Sequence, residues 1–263
     1  AAKVAYELAK RQRNSFDVHL FSAHRKRNDA WSHEIGKSTA PRGVNYHLLN
    51  IAQNQFGYQD ALRTEPLSLR ADSRFAEAAI VHLHNLHGGY FSYGILPQLC
   101  ENRTVVWTLH DEHILTGHCA VTLNCQKWIS GCGRCPDLNR YPAIKKDGTA
   151  FWASAKKEWV NQIRPHLVAP SSWLLDKLKT AFPNSDQLHL IPNGVDTEVY
   201  EPKDRKAARL KFGIPENAFV LLFAAELGTN NPFKCGNVIH ELIRHYADNE
   251  EVRIVTIGKE DSP

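Results

Sequence analysis

Residues 191–202 read IPNGVDTEVYEP and decide how this chain is organised. They follow one series of alternating apolar strands and amphipathic helices, and they precede a second series. Such alternation is typical of parallel sheets covered by helices. The stretch therefore predicts an α/β protein with two Rossmann-like, doubly wound domains and a boundary at residue 196. Two domains joined in this way would leave a cleft in which an enzyme could hold two substrates.

The part before this stretch, residues 1–196, is predicted to form the first domain. We expect a helix over 2–12, a polar loop over 24–37 and a helix over 149–164. The predicted strands cover 16–23, 78–85, 104–109, 166–169 and 188–192. Residues 112–148 contain four cysteines and several turn residues, which predicts an irregular insertion.

The part after it, residues 197–263, is predicted to begin a second domain. The apolar run 218–225 is typical of a strand covered on both faces. About 65 residues with two strands give a parallel sheet little core. The chain also lacks methionine and opens on a helical pattern. We therefore expect a piece of a longer protein, cut at both ends, whose second domain is incomplete.

The composition is that of an ordinary soluble protein, with 43% apolar and 23% charged residues. No signal peptide is visible, and no apolar run is long enough to span a membrane. The net charge of +4 suits an anionic ligand or a membrane surface, and the basic run 24–27 would meet either one or simply face solvent. Because no basic stripe is interleaved with aromatics, nucleic acid is disfavoured. We expect a cytoplasmic protein with peripheral contact at the inner membrane.

The first candidate site is His110-Asp111, directly after the strand 104–109. Ligands of parallel α/β sheets bind beyond the carboxyl ends of the strands. A histidine there can bind a sugar hydroxyl or exchange a proton near neutral pH. Asp111 would orient that histidine or contact the substrate. The structural alternative is a histidine that only caps the strand.

The second candidate is the segment 82–90, which reads HLHNLHGGY. His82 and His84 lie on one face of a strand, where they could chelate a metal or simply be polar residues at a strand end. Gly88 and Gly89 let the backbone approach a ligand closely. We predict that His87, Gly88 and Gly89 face a ligand.

The third candidate is the loop from Gly228 to Gly236, between an apolar strand and a helix. Its backbone amides and the helix N-terminus favour an anion, and Lys234 adds a full positive charge. A diphosphate would fit. The loop matches neither a Walker loop nor a dinucleotide fingerprint, so alone it is a weak signal.

The fourth candidate is the cysteine cluster of the insertion, with the spacing C-x5-C-x6-C-x2-C. Four thiolates could hold a structural zinc ion, and His118 could replace one ligand. Two disulfides or free thiols are the alternatives, and a catalytic zinc is disfavoured because no position would stay open. Cys100 and Cys235 stand apart and are predicted to be buried thiols. The cluster consists of Cys119, Cys125, Cys132 and Cys135.

Taken together, these residues resemble the family 4 glycosyltransferases, which are retaining enzymes of the GT-B fold. The resemblance rests on the segments 170–173 (PSSW), 191–196 with Tyr200 and Pro202, and 234–236 (KCG), and it is strengthened by 82–90, 107–111 and 117–119. It runs across nearly the whole chain. It is strongest to the bacterial subgroup that builds exopolysaccharide, colanic-acid-like or capsular chains.

The resemblance implies that the first domain takes a glycan or lipid-linked acceptor and the second a nucleotide-sugar donor. It implies that His110 touches the transferred sugar, that Gly88 and Gly89 lie near the donor phosphates or the acceptor, and that Lys234 neutralises the leaving diphosphate. Attack from the front face, with the leaving phosphate as base, needs no protein nucleophile and no catalytic metal. Further binding residues are implied at Ser171, Asn193, Gly194, Gly228 and Gly236.

Two departures from the family pattern keep other functions open. The family usually places an arginine a few residues before its lysine, whereas residues 225–229 contain none. Cys235 stands where a glycine is common. The alternatives are a non-catalytic nucleotide- or sugar-binding fragment and an interaction domain stabilised by zinc.

Overall fold

The computed structural model describes residues 1–24, 27–35, 51, 55, 57, 59–225, 228–231 and 233–258. The chain divides into two compact units, Ala1–Gly194 and Val195–Pro263. This division lies next to the predicted domain boundary at residue 196. Each unit is described by itself. Half of the basic run 24–27, which was predicted to meet an anionic ligand or surface or simply to face solvent, lies outside the described residues, namely residues 25 and 26.

Short helices and short strands alternate through both units. In the first unit they are α1 (Ala2–Gln12), β1 (Leu20–Ser22), β2 (Ser32–Glu34), α2 (Ser73–Ala76), β3 (Ile80–Leu83), α3 (Leu96–Leu99), β4 (Thr104–Thr108), α4 (Thr149–Ile163), β5 (His166–Ala169), α5 (Ser172–Ala181) and β6 (Leu188–Leu190). In the second unit they are α6 (Arg205–Lys211), β7 (Phe219–Ala224), α7 (Gly236–His245) and β8 (Val252–Ile257). Single turns of 3₁₀ helix include His113–Leu115, Lys127–Ser130 and Gly228–Asn230.

The main sheet of the first unit contains four parallel strands in the order β3-β4-β5-β6. Trp107 of β4 pairs with Leu83 of β3 on one side and with Leu167 of β5 on the other. Because the strands are parallel, all four carboxyl ends lie at one edge of the sheet. The residues that follow β3, β4, β5 and β6 are therefore collected at that edge.

A second, two-stranded parallel sheet joins β1 and β2. β2 falls in the segment 24–37, which the sequence predicted to be a loop, so that prediction was wrong. The strand reads Ser-His-Glu, and its first residue, Ser32, is buried. A polar strand of three residues gives no apolar alternation from which it could be recognised.

The core of the first unit packs around the middle of the main sheet. Trp107, Leu167 and Leu178 are almost completely buried. The indole Nε1 of Trp107 donates a hydrogen bond to the backbone oxygen of His84 at 3.0 Å, so the largest core side chain also fixes the backbone just beyond β3. The core therefore supports the edge where the candidate residues lie.

The insertion contains no strand and no helix longer than a turn among residues 116–148. It is attached through Glu112, whose buried carboxylate accepts hydrogen bonds from Thr122 N at 2.6 Å and Thr122 Oγ1 at 2.7 Å. Lys177 of α5 donates to the same carboxylate. Hydrogen bonds to a buried charge thus replace the apolar core that this segment lacks.

The second unit contains the parallel pair β7-β8 with α7 between the two strands. The prediction that β7 is covered on both faces was wrong for the described residues. Phe219 is 65% exposed and Leu222 is 64% exposed. Among the described residues of either unit, no helix is both long and apolar enough to cross a membrane.

Candidate active site

His110 lies just beyond the carboxyl end of β4, and its closest polar partner is another histidine. His110 Nε2 is 3.0 Å from Nδ1 of His84, which follows β3. Burial lowers the pKa of His110 to about 4 and that of His84 to about 3. Both rings are therefore neutral at pH 7, and one nitrogen donates while the other accepts. The contact fixes the tautomer of His110 relative to that of His84.

His82 extends this row of histidines along β3. Its ring is stacked on that of His84 at 4.6 Å between centroids, and its Nε2 is 2.8 Å from Thr108 Oγ1. The metal interpretation of His82 and His84 gains no support, since no group of three or more His, Cys, Asp or Glu side chains in the described part of the chain could hold an ion. The two rings instead form one wall beside His110.

Asp111 does not orient His110, which was one of the roles predicted for it. Its carboxylate accepts hydrogen bonds from His87 Nε2 at 2.7 Å and Asn85 Nδ2 at 2.7 Å, and from the backbone amide of His113 at 3.0 Å. Burial would raise the pKa of this carboxyl, but these donors outweigh burial and lower it. Asp111 is therefore a fixed carboxylate that holds the loop after β3.

The backbone of that loop turns sharply at Gly88 (φ +112°) and Gly89 (φ +88°), a region that favours glycine. Both amides donate to Asp60 Oδ2, at 3.3 Å and 3.1 Å. Asp60 comes from a stretch whose sequence has no clear helical or strand pattern. The glycine amides that were expected to face a ligand thus face a carboxylate of the chain itself.

Behind this loop lies a buried lysine without a carboxylate partner among the described residues. Lys156 Nζ donates to the backbone oxygens of His113 at 2.9 Å and Thr116 at 3.1 Å. Burial lowers its pKa to about 7. It lines a cavity of about 20 Å³ together with Asp60 and Tyr93, a volume that suits a single water molecule. Lys156 therefore stabilises the turn that follows Asp111.

The remaining candidates of the first unit lie after β5 and β6. Ser171 is the N-cap of α5, and its Oγ accepts a hydrogen bond from Leu174 N at 3.3 Å. Asn193 and Gly194 are exposed residues that follow β6. Parallel pairing places them at the same edge as His110, although no hydrogen bond joins them to it among the described residues.

The loop from Gly228 to Gly236, called the lysine loop after Lys234, belongs to the second unit. Lys234 is exposed and lies just before α7. A Cβ at Gly236 would stand 1.6 Å from Thr229 O, so no other residue fits there. Gly228 (φ +51°) and Cys235 (φ +54°) are both left-handed. Cys235 is exposed rather than buried as predicted, whereas Cys100 is buried as expected.

Residues 1–199 match the family described as Glycosyltransferase Family 4. The chain belongs to glycosyltransferase family 4. Over 159 residues it is 30% identical to WcaC of Escherichia coli K12, described as a colanic acid biosynthesis glycosyl transferase, and the match covers 57% of this chain and 39% of WcaC. It is also 37% identical over 78 residues to a D-inositol 3-phosphate glycosyltransferase of Stackebrandtia nassauensis, which is 28% of this chain and 17% of that protein.

A solved glycosyltransferase structure from Rickettsia africae superposes on this family 4 chain with a TM-score of 0.51 at 14% identity. The superposition covers 98% of this chain and 64% of that one. At this identity the likeness concerns the fold, and it confirms the predicted α/β, GT-B-like class. The chain spans less than two thirds of the length of WcaC and of the Rickettsia protein.

The cysteine cluster has the chemistry of zinc ligands, but the described residues do not bring its members together as a metal site. His118 Nδ1 donates to Pro142 O at 2.9 Å, so its Nε2, 3.4 Å from Cys135 Sγ, is the nitrogen left to bind a metal. Cys132 Sγ accepts a hydrogen bond from Gly117 N at 3.3 Å. However, no three potential ligands among the described residues are grouped to hold an ion. All six cysteines are described and free, so the disulfide alternative gains no support, and zinc stays a prediction.

Sequence reasoning missed three residues of this site. Asp60 gave no signal because it lies in a segment without periodicity. Lys156 did give one, since it stands four residues after Trp152 on the apolar face of a predicted helix, where a lysine is rarely buried. Tyr141 ends up beside His87, with 5.8 Å between the ring centroids, although it is 54 positions away in the sequence.

Proposed function

We propose that this chain carries the acceptor side and part of the donor side of a retaining glycosyltransferase. The enzyme moves a sugar, of the hexosyl type, from a nucleotide-sugar to a glycan or lipid-linked acceptor in bacterial surface polysaccharide synthesis. Family membership and the similarity to WcaC support this proposal. The observation that carries it is His110, a neutral histidine with a fixed partner at the carboxyl edge of a parallel sheet.

In the proposed reaction, the bond between the anomeric carbon and the diphosphate oxygen breaks as a bond to the acceptor oxygen forms on the same face. The acceptor proton passes to the leaving diphosphate, so no protein nucleophile is required. Because its ring is uncharged and its tautomer is fixed by His84, His110 can hydrogen-bond a hydroxyl of the transferred sugar. Its role is to position that sugar.

Lys234 would stabilise the negative charge that develops on the diphosphate. A cation placed where charge develops often makes the largest contribution to catalysis. The tight loop before α7 supports this role, because Gly236 brings the Thr229 backbone against the start of a ten-residue helix. No catalytic metal is required by this scheme. The proposed location is cytoplasmic, with peripheral contact at the inner membrane.

A second candidate is a sugar- or nucleotide-binding chain that does not transfer. The observation that favours it is the absence of arginine from residues 225–229, which leaves Lys234 as the one basic side chain of the segment 225–236.

A nucleotide-sugar screen with the substitutions His110→Ala and Lys234→Ala tests the proposal. We expect each substitution to lower turnover about 100-fold while the protein stays folded. The matched control is Lys206→Ala, since Lys206 is an exposed lysine of the same unit whose Nζ lies 2.9 Å from Glu216. Binding of a nucleotide-sugar without any turnover would favour the second candidate, and equal turnover in all variants would refute the assigned roles.

A further inference from the structure

The loop after β3 already holds an anion that the chain itself supplies. Gly88 N and Gly89 N both donate to one carboxylate oxygen, Asp60 Oδ2, at 3.3 Å and 3.1 Å. Two adjacent amides with positive φ form a concave donor site of the kind that binds phosphate or carboxylate. Since Asp60 fills this donor site, the loop does not offer it to a phosphate.

The charges around the loop act in the same direction. Asp111 lies beneath it as a fixed carboxylate, 2.7 Å from His87 Nε2. Burial raises the pKa of Tyr141, and the negative charges of Asp111 and Asp60 raise it further. Both charges therefore act on the outer side of the loop, where Tyr141 lies. The lysine behind the loop, Lys156, is buried, has its pKa lowered to about 7 and donates to two backbone oxygens. A phosphate would have to displace Asp60 and approach Asp111, whereas a neutral hydroxyl could donate to Asp60.

An aromatic ring borders the same loop. Tyr141, from the insertion, is 51% exposed, and its hydroxyl would lie 3.9 Å from a Cβ at Gly88. Among the described residues, a Cβ at Gly89 would have no heavy atom within 4 Å. In this part of the chain the loop therefore has open space above Gly89 and an aromatic wall beside it. A pyranose matches this arrangement, since it presents C–H groups on one face and hydroxyls at its edge.

One polar atom in this cluster still lacks a partner. The His87 side chain is 7% exposed, its Nε2 is bound to Asp111, and its buried Nδ1 has no hydrogen-bond partner among the described residues. Buried polar groups in native proteins almost always find one. A hydroxyl of a sugar bound beside Tyr141 would supply it.

We propose that Asp60, His87 and Tyr141, with the Gly88-Gly89 turn, form a subsite for a neutral pyranose, the terminal sugar of the acceptor. Its ring packs against Tyr141, and its hydroxyls donate to Asp60 and pair with His87 Nδ1. The assignment to the acceptor rests on the proposed transfer function. Donor phosphates are excluded from this loop and must be bound elsewhere.

Glycine amide signals can test this directly, because the sequence contains 15 glycines, of which Gly88 alone follows a histidine and Gly89 alone follows a glycine. Labelling with ¹⁵N-glycine and either ¹³C-carbonyl histidine or ¹³C-carbonyl glycine therefore isolates each signal by NMR without a mutation. The probes are the methyl glycosides of glucose, galactose, mannose and fucose, and inorganic pyrophosphate as the anion.

We expect at least one glycoside to shift both signals in a saturable way, and pyrophosphate to shift neither. Tyr141→Ala should weaken the glycoside about fivefold, the loss of one aromatic contact, while Tyr141→Phe keeps the ring and stays within about twofold. Asp60→Asn should weaken the glycoside and allow pyrophosphate to shift the signals. Shifts with pyrophosphate alone, or with no probe, would overturn the proposal.

The outcome is separable from that of the transfer reaction. Transfer with an unchanged acceptor KM in Tyr141→Ala would overturn the subsite and leave the transferase intact. Glycoside binding at Gly88 and Gly89 in a protein that transfers no sugar would keep the subsite and overturn its assignment to an acceptor.

Discussion

The two units contain similar apolar strands but bury them very differently. In the first unit, β5 lies between β4 and β6, and its Leu167 is 1% exposed. In the second unit, β7 pairs with β8 alone among the described residues, and its Leu222 is 64% exposed. The difference teaches that an apolar run predicts a strand, whereas its burial depends on how many neighbours cover it. The buried sheet of the first unit can therefore stabilise a site. In the second unit, the loop before α7 depends on the close packing of its own backbone.

The largest expected difference between the units concerns their cysteines. If the insertion binds structural zinc, purified protein should contain about one zinc per chain by metal analysis, and a chelator should unfold the insertion. Cys132→Ser and Cys135→Ser should lose the metal. Cys235→Ser, at the exposed cysteine of the second unit, is the control and should keep it. Metal-free protein with an unchanged melting temperature would contradict the prediction.

The next difference concerns the two leucines. Leu167→Ala removes a buried side chain and should lower the free energy of unfolding by about 3 kcal/mol. Leu222→Ala removes an exposed one and should change it by less than about 0.5 kcal/mol. Urea unfolding of each variant measures both. Equal losses would mean that β7 is covered in solution and would remove the contrast between the units.

A smaller difference is expected at two glycines. Gly236→Ala places a Cβ 1.6 Å from Thr229 O, and the backbone shift it forces should cost about 2 kcal/mol. Gly194→Ala, at the end of the first unit, meets no atom of a described residue within 4 Å and should cost nothing measurable. Amide hydrogen exchange of α7 should quicken in the first variant alone. Unchanged exchange in Gly236→Ala would show that the lysine loop is not held by this close approach.

The smallest difference appears on lowering the pH. The folded pKa of His84, about 3, lies below the ordinary value of 6.5, so the unfolded chain binds the extra proton first. The stability from this neutral histidine is present above pH 6.5 and is lost as the pH falls toward 3, by about 1 kcal/mol per pH unit. In thermal unfolding from pH 6.5 to pH 5, His84→Asn should show a flatter slope than the unaltered chain.

The control for this slope is His240→Asn, at an exposed position of α7 in the second unit. A parallel slope in the unaltered chain and in His84→Asn would show that His84 is protonated in the folded state.

Where a sequence pattern is long or strongly apolar, it predicted the fold well. The helix over 2–12 and the strand 166–169 were found with the expected bounds, because helical spacing and a β-rich apolar run need no distant partner to be recognised. The strand β2 could not be found this way, since its three residues are polar. The exposure of β7 could not be found either, since coverage is a property of other segments.

The candidate site shows the same limit. His110 and the Gly88-Gly89 turn were predicted because both follow apolar strands. Their actual partners, His84 for the first and Asp60 for the second, depend on strand register and on a segment without periodic pattern. For the same reason the sequence offered His110 as a partner of Asp111, whereas in the fold the Asp111 carboxylate accepts a hydrogen bond from His87.

Glu112 carries a consequence for how this protein can be re-engineered or could have evolved. Its carboxylate is shared between Thr122 inside the insertion and Lys177 on the framework helix α5, and Gly117 packs so tightly that a Cβ would lie 2.4 Å from Thr149. The insertion therefore cannot be removed or exchanged as an independent segment. Excising it, or transplanting it into a relative, would remove both hydrogen bonds from Thr122 and leave the buried Glu112 carboxylate with Lys177 alone, so such chimeras need Glu112 and Lys177 to be exchanged together with the segment between Gly117 and Thr149.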